Sequence, residues 1–244
     1  GTVLAAIIFF RRDLARALAG FVGSLTDPSR RGSEDARIGW AVFYGTLPIV
    51  ILGFLLKHRI ETSFRSLWVI AFSFIIMGVI MFFAERHGKR SRKIDSVTPR
   101  DGLVVGLWQA LAIFPGMSRS GSAISGGLFV NLDHASAARF SFLLGIPAIT
   151  AAGLFEAFKE RKEILSGGAL IPTLIATAVS FIVGYASIAW LIGILQKRGV
   201  APFVLYRVAL GVILLVLLGS GRLNPERRSA ESTRASAHVS QAHA

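Results

Sequence analysis

Long apolar stretches separated by short polar segments dominate the chain. A helix that spans the hydrocarbon core of a bilayer needs about 20 predominantly apolar residues. Five uninterrupted stretches come close to that length: Ile38–Leu56, Leu67–Ala84, Phe140–Phe158, Ala169–Leu195 and Pro202–Leu218. Stretches of this length and composition are typical of transmembrane helices. The pattern therefore predicts an all-α polytopic membrane protein.

The two ends of the chain depart from this pattern. Gly1–Phe10 is apolar but would form only about 15 Å of helix, half the thickness of a membrane. Because no initiator methionine precedes it, we expect the chain to begin inside a transmembrane helix, with upstream sequence missing. Residues 222–244 are rich in Ser, Ala and Arg. We expect a single transmembrane domain over residues 1–221, followed by a disordered polar tail.

A further apolar segment, residues 103–130, is interrupted by a Pro-Gly pair near its middle. As a single crossing it would break at mid-membrane, although the charges of the later loops favour that arrangement. Alternatively, Leu103–Phe114 and Ser122–Val130 are half-helices of a re-entrant hairpin whose tip is residues 115–121. We favour the hairpin, because irregular backbone is tolerated at membrane depth where it lines a polar cavity.

Composition and charge agree with a membrane protein. The chain is 53% hydrophobic and only 17% charged, too few polar residues to cover a soluble domain. The net charge of +13 comes largely from segments between the apolar stretches: 11–37 and 85–100 each carry six Lys or Arg residues, and 57–66 carries three. The positive-inside rule makes the first two cytoplasmic and the third external. Such clusters are typical of contacts with anionic lipid headgroups, and we expect no nucleic-acid partner.

Arg119 places a permanent cation inside the interrupted apolar segment, between the hydroxyls of Ser118 and Ser120. A charged side chain at membrane depth is costly and by default marks a functional site with an oppositely charged partner. The planar guanidinium matches two phosphate oxygens and keeps its proton, and the two hydroxyls are further donors. The three residues are therefore candidates for binding an anion.

The backbone around Arg119 offers more donors. Gly116 and Gly121 permit close approach and unusual dihedral angles. A helix beginning near Ser122 would leave its first N–H groups unpaired, which favours an anion. This set suits a phosphate or diphosphate better than a lone carboxylate. In the alternative interpretation, an internal carboxylate neutralises the arginine, and the Ser and Gly residues serve close helix packing.

Residues 106–127, which contain Pro-Gly-Met-Ser-Arg-Ser-Gly, resemble the second signature of the bacterial undecaprenyl-pyrophosphate phosphatases, the bacitracin-resistance family. Residues 138–144 with Pro147, residues 202–207 and the first five residues match further features of that family. The resemblance covers residues 1 to about 219 and leaves only the tail outside it.

The resemblance implies both an activity and a fold. Members hydrolyse undecaprenyl diphosphate to undecaprenyl phosphate and inorganic phosphate, which recycles the lipid carrier of peptidoglycan synthesis and confers resistance to bacitracin, a competitor for the lipid. They reside in the inner membrane and contain two inverted repeats, each with a re-entrant hairpin, whose tips meet in a cavity open to the periplasm. The first repeat would be incomplete here. A homodimer is one candidate for the assembly of this protein.

Roles carry over from the family at a few positions. Arg119 corresponds to the arginine that holds the phosphates, and Ser118 and Ser120 correspond to its flanking hydroxyls, so these three are the candidate catalytic residues. Gly116, Gly121 and Ser122 are candidate substrate-binding residues. Gln109 occupies the place that an acidic residue has in the first repeat, and it is assigned to substrate binding on that basis.

The family's first signature is missing from this sequence. That signature contains a Glu-x-x-x-Glu pair and a Pro-Val-Ser-Ser-x-x-His segment, which supply the ligands of Mg²⁺ or Ca²⁺, the nucleophilic serine and the histidine. We therefore expect no metal ligands in this chain, and little or no catalysis by the chain alone.

No other acidic residues replace that signature convincingly. Six acidic residues are candidate substitutes, and they lie in loops or at helix ends: Glu34, Asp35, Glu61, Glu156, Glu160 and Glu163. Asp133 and His134 resemble an acid/base pair, but we favour Asp133 as the N-cap of the following helix. Two other functions stay open: a polyprenyl-phosphate transporter or flippase, and a structural subunit whose partner neutralises Arg119.

Overall fold

The computed structural model describes residues 1–56, 66–161 and 170–223, which form nine α-helices. In chain order they are α1 Thr2–Phe9, α2 Arg11–Thr26, α3 Glu34–Leu55, α4 Leu67–His87, α5 Pro99–Ala110, α6 Arg119–Phe129, α7 His134–Lys159, α8 Leu170–Arg198 and α9 Ala201–Gly219. Five of them, α3, α4, α7, α8 and α9, are long and apolar enough to cross a membrane. The all-α polytopic class is confirmed, and the protein is a multi-pass membrane protein. The inverted repeat stays a prediction.

Polar caps explain why α3 and α7 begin before their apolar stretches. The hydroxyl of Ser33 accepts a hydrogen bond from the N–H of Ala36 at 3.2 Å, so α3 starts at its acidic first turn. The carboxylate of Asp133 accepts one from the N–H of Ser136 at 2.7 Å, so α7 starts six residues before Phe140. The N-cap role predicted for Asp133 is confirmed.

Both segments predicted to be cytoplasmic lie on one face of the molecule, which we call the basic face. The guanidinium of Arg37 donates to the carbonyl of Asp95 at 3.1 Å, which joins the start of α3 to the segment after α4. Arg139 near the start of α7 pairs with Asp13 near the start of α2 at 2.7 Å. The prediction for the external loop 57–66 lies outside the described residues except for Ser66, and that for the tail lies outside them beyond residue 223.

A hairpin formed by α5 and α6 starts and ends at the basic face. The guanidinium of Arg92 binds the carboxylate of Asp101 near the start of α5 at 2.7 Å, and it also donates to the carbonyl of Val130 just after α6 at 3.0 Å. Because one side chain contacts both ends, residues 99–130 enter and return on the same side. The two helices form a hairpin in the structure, and its re-entry into the membrane stays a prediction. At the helical rise, α5 carries the tip about 18 Å from this face.

The hairpin helices begin earlier than predicted. Thr98 and Asp101 form a capping box with Pro99 at the first helical position, so α5 includes polar residues that precede the apolar half-helix. The second helix begins at Arg119 rather than near Ser122, because Ser118 caps it. The first turn of α6, and with it the candidate anion site, therefore includes the arginine itself.

Glycines bring the hairpin into backbone contact with its neighbours. A Cβ added at Gly102 or Gly106 on α5 would overlap backbone atoms of α3 at Ala41 and Gly45. On α6, a Cβ at Gly126 would lie 2.9 Å from the Cβ of Trp108 on α5. Small residues allow this close helix packing within membranes. It fixes the position of the hairpin tip relative to the crossing helices.

Candidate functional site

The hairpin tip is a turn that positions the start of α6. Ser118 adopts a left-handed φ of 63°, uncommon for a residue other than glycine, and its hydroxyl accepts a hydrogen bond from the N–H of Gly121 at 3.2 Å. Gly116 has a φ of 96°, which glycine adopts without steric cost. The N–H groups of Arg119 and Ser120 make no hydrogen bond within the described residues. The tip therefore presents unpaired backbone donors at a helix N-terminus.

Arg119 directs its side chain away from the tip, across to α7. A Cβ at Gly145 would overlap the guanidinium, so the arginine lies directly on the backbone of α7. Its Nη1 atom is buried and has no hydrogen-bond partner in the described part of the chain. The guanidinium lines a cavity of about 320 Å³ between α1, α7 and α8.

Within the part of the chain that the structure describes, the surroundings of Arg119 contain no neutralising carboxylate. The lining of its cavity is otherwise apolar or small, including Thr2, Ala6, Phe142 and Ile188. Among residues 1–56, 66–161 and 170–223, no carboxylate forms an ion pair with Arg119. The described residues thus do not contain the internal carboxylate of the alternative interpretation. An unpaired buried cation of this kind favours an anionic ligand.

The two serines face a different cavity, of about 200 Å³, on the other side of α6. Ser118, Ser120 and Gly121 line it together with residues of α8 and α9. Leu191 of α8 lines both this cavity and that of Arg119, so the two spaces adjoin. The structure therefore brings the serines and the arginine to one tip but turns their side chains into neighbouring cavities.

A second buried arginine, Arg207 of α9, completes the cavity of the serines. Its guanidinium donates to the carbonyl of Gly116 at the tip and lies 4.8 Å from the ring centroid of Phe74 on α4. Its Nε atom has no partner within the described residues. This cation holds the tip against α9 and adds a positive charge to the lining of the cavity.

Two other predicted residues lie apart from both cavities. Ser122 is fully buried, and its hydroxyl contacts the sulfur of Met77 at 3.3 Å. Gln109 is also buried within the hairpin, and neither atom of its amide group has a partner in the described structure. Their assignment to substrate binding stays a prediction.

No group of three or more His, Cys, Asp or Glu side chains that could hold a metal ion occurs within the described ranges. Asp35 and Glu34 lie on the basic face and pair with Arg16 at 2.9 and 3.8 Å. Glu156 pairs with Lys159 at the far end of α7. Glu61 and Glu163 lie outside the described residues. The residues around the tip therefore do not fit a divalent cation on their own.

Comparison with known proteins decides the family. Residues 1–213 match the family described as Bacitracin resistance protein BacA. The chain belongs to the BacA family. A protein named undecaprenyl-diphosphatase from a Nocardioides species is 46% identical over 224 residues, which cover 91% of this chain and 80% of that protein. Undecaprenyl-diphosphatase 2 of Streptomyces coelicolor is 44% identical over 92% of this chain and 81% of its own length. Undecaprenyl-diphosphatase of Chloroherpeton thalassium is 42% identical, with 91% and 82% covered.

In this BacA family chain, the sequence did not reveal that Arg207 contacts the hairpin tip and lines the cavity of the serines. The residue belongs to the matched segment 202–207, but no role was assigned to it. Its signal was available, because it is the one charged residue in the 19-residue apolar helix α9. That it approaches a hairpin tip almost one hundred positions earlier in the chain was not readable from the sequence.

The predicted alternative for Asp133 and His134, an acid/base pair, is not what the structure shows at this end of α7. While Asp133 caps the helix, the Nε2 atom of His134 lies 2.8 Å from the carboxylate of Glu85 on α4. The N–H of Val200 also approaches that carboxylate, at 3.4 Å. These residues join α4, α7 and the turn before α9 at the basic face, away from the hairpin tip.

Proposed function

We propose that this member of the BacA family is an undecaprenyl-diphosphatase, which hydrolyses undecaprenyl diphosphate to undecaprenyl phosphate and inorganic phosphate. In the cell the reaction would recycle the carrier of peptidoglycan synthesis, and it would confer resistance to bacitracin, which competes for the lipid. The names of the relatives support this activity. The observation that carries it is the half-buried guanidinium of Arg119. Its Nη1 atom is buried without a hydrogen-bond partner, it has no carboxylate partner among the described residues, and the residue lies at a helix N-terminus.

In this proposal Arg119 and the tip bind the diphosphate. The guanidinium contacts phosphate oxygens, while the N–H groups of Arg119 and Ser120 and the hydroxyl of Ser120 donate from the tip. In the hydrolysis, oxygen from water bonds to the terminal phosphorus as the bond from that phosphorus to the bridging oxygen breaks. Negative charge grows on the bridging oxygen, which leaves with undecaprenyl phosphate. Fixed cations and N–H donors stabilise such charge without reorganising.

Arg207 supplies a second positive charge on the other side of the tip. Its bond to the carbonyl of Gly116 fixes the turn, and Arg207 lines the cavity of the serines. Two phosphates that are joined through one oxygen span adjoining spaces better than a single phosphate does. The pair of cavities therefore supports a diphosphate as the ligand.

We also propose that the hydrolysis requires Mg²⁺ or Ca²⁺, which is tested by measuring phosphate release with and without the added ion. A divalent cation would neutralise phosphate charge in such a reaction. The described residues offer no cluster of three or more His, Cys, Asp or Glu side chains that could hold such an ion.

The proposed location is the bacterial inner membrane, with the site facing the periplasm. The distribution of Lys and Arg supports a cytoplasmic basic face. Along α7, Arg139 lies at that face, whereas Ile146 and Ile149 in the lining of the Arg119 cavity lie two to three turns further away. A site entered from the opposite side of the membrane agrees with that direction.

Binding of undecaprenyl diphosphate by the purified 244-residue chain in detergent tests the proposal. We expect Arg119→Ala to weaken binding by roughly a hundredfold, since a charge-assisted, bidentate contact is lost. Arg86→Ala, which removes an exposed cation at the basic face, is the matched control and should bind like the wild type.

The same samples separate the enzyme from a transporter. Release of inorganic phosphate is measured with and without added Mg²⁺ or Ca²⁺, and movement of the lipid across vesicle membranes is measured in parallel. We expect little or no release from this chain alone, because the described residues hold phosphate but offer no metal cluster. Movement across the membrane without any release would favour the transporter, and binding that is unaffected by Arg119→Ala would refute the proposal.

A further inference from the structure

A cavity of about 640 Å³ lies at the basic face, apart from the hairpin tip. It is formed where α1 meets α2, against α7 and α8. Four arginines line it: Arg11, Arg12, Arg16 and Arg139. Asp13 is the acidic residue in its described lining. The cavity is thus a strongly basic concavity at the edge of the apolar helices.

Two of these arginines are not neutralised. Arg139 forms a bidentate pair with Asp13, at 2.7 and 2.9 Å, and Arg16 pairs with Asp35 at 2.9 Å. Arg12 makes no hydrogen bond or ion pair with any described residue, and Arg11 donates only to the carbonyl of Ile8, at 3.4 Å. Two unpaired guanidinium groups at one cavity can bind an anionic phosphate group through charge-assisted hydrogen bonds.

Aromatic rings form the apolar side of the same cavity. Phe10 stacks on Phe142 of α7 with a centroid distance of 5.1 Å, and Phe9 packs edge-on against Tyr185 of α8 at 5.1 Å. Aromatic side chains beside cations are typical of the membrane–water interface, where a lipid presents a charged headgroup and an apolar tail. A freely soluble anion has no apolar part that could contact these aromatic side chains.

The apolar wall continues along the same three helices. One turn deeper, Ala6 of α1, Phe142 of α7 and Ile188 of α8 line the cavity that contains Arg119. An apolar chain attached to a phosphate at Arg11 and Arg12 could therefore lie against α1, α7 and α8. This continuity favours a lipid over inorganic phosphate.

We propose that the cavity of Arg11, Arg12, Arg16 and Arg139 binds the phosphate headgroup of an anionic membrane lipid from the basic face. The juxtaposition of two unpaired guanidinium groups with an aromatic wall carries this assignment. It is a second binding site, and it does not rest on the activity proposed for the hairpin tip.

The test uses the full chain in vesicles of phosphatidylcholine that contain a minor share of phosphatidylglycerol. Lipid retained after extraction is counted by native mass spectrometry. We expect the double variant Arg11→Gln/Arg12→Gln to retain phosphatidylglycerol roughly tenfold less than the wild type, since each cation near the surface contributes measurably to binding. Arg86→Gln/Lys89→Gln removes the same charge from exposed positions on the same face and should retain lipid normally.

Further arms identify the source of the phosphate and separate the two sites. Prenyl monophosphate should compete with phosphatidylglycerol, whereas inorganic phosphate at equal concentration should not. The variant Arg119→Ala should retain phosphatidylglycerol like the wild type.

Equal losses in the two double variants would show only diffuse attraction, and competition by inorganic phosphate would show a site for a free anion. Either result would overturn the proposal. Unchanged thermal unfolding of both variants confirms that they are folded.

Discussion

At the scale of single residues, the position of the Arg119 side chain depends on the absence of a side chain at Gly145. Its guanidinium occupies the space where Gly145 lacks a Cβ, and its Nη1 atom has no hydrogen-bond partner within the described residues. The contact is steric, so it directs the arginine without neutralising it. The positive charge therefore stays available to a ligand.

Gly145→Ala is predicted to displace the guanidinium of Arg119. Because an arginine side chain is flexible, the protein should keep its stability, while the affinity for undecaprenyl diphosphate should fall roughly tenfold through lost positioning. Binding and thermal unfolding are measured together. Gly153→Ala on the same helix, where an added Cβ meets nothing within 4 Å, is the control. Unchanged affinity in Gly145→Ala would show that the contact does not position Arg119.

At the scale of elements, the hairpin is held at both its sides and its base. Gly102 and Gly106 let α5 touch the backbone of α3, and Arg92 ties the two ends of the hairpin together. The tip is thus carried on a rigid support, although its own turn contains the left-handed residues Gly116 and Ser118.

Gly106→Ala is predicted to separate α5 from α3. The added Cβ would overlap the carbonyl of Gly45, and since backbone cannot rotate away as a side chain can, the helices must move apart. We expect a loss of about 1–3 kcal/mol in the free energy of unfolding, read from chemical denaturation in detergent. Gly53→Ala on α3, which faces open space, should cost far less. Alanine favours a helix more than glycine does, so helix propensity cannot cause a loss. Similar losses in both variants would mean that the contact with Gly45 does not decide the effect.

The base of the hairpin is predicted to weaken in acid. Burial alone would raise the pKa of Asp101, but the hydrogen bonds from Arg92 and Thr98 outweigh it and hold the pKa below its ordinary value of 3.8. A carboxylate with a lowered pKa stabilises the fold fully above that value, and this contribution is lost as the pH falls through the folded-state pKa.

Thermal unfolding from about pH 6 down to about pH 3 should therefore show a loss of stability in the acid part of the range. Asp101→Asn removes the titrating group while keeping the shape of the side chain. That variant should be less stable near neutral pH and should lose less on acidification than the wild type. An identical acid response in both proteins would exclude Asp101 as a cause.

At the scale of the whole molecule, two arginines from distant segments line adjoining cavities beside the hairpin tip. Arg119 begins α6 and Arg207 lies on α9, yet both flank the turn at Gly116, from adjoining cavities. If one diphosphate contacts both cations, their contributions to binding should be coupled.

A double-mutant cycle with Arg119→Gln and Arg207→Gln measures this coupling. We expect each variant alone to weaken binding of undecaprenyl diphosphate, and the double variant to lose less than the product of the two factors, because the ligand has already lost its position. Inorganic phosphate, too small to reach both cavities, is the control and should show additive losses. Additive losses for the diphosphate as well would indicate that the two cations act on it separately.

By itself, the sequence determined the class of protein, the five crossing helices, the capping role of Asp133 and the presence of a costly arginine at 119. These are local properties, since hydropathy, helix length and capping depend on neighbouring residues. Other features were decided only by the tertiary structure: the return of the hairpin through Arg92, the separate cavities of Arg119 and its serines, and the approach of Arg207. Each depends on contacts between residues far apart in the chain, which packing creates and no local pattern encodes.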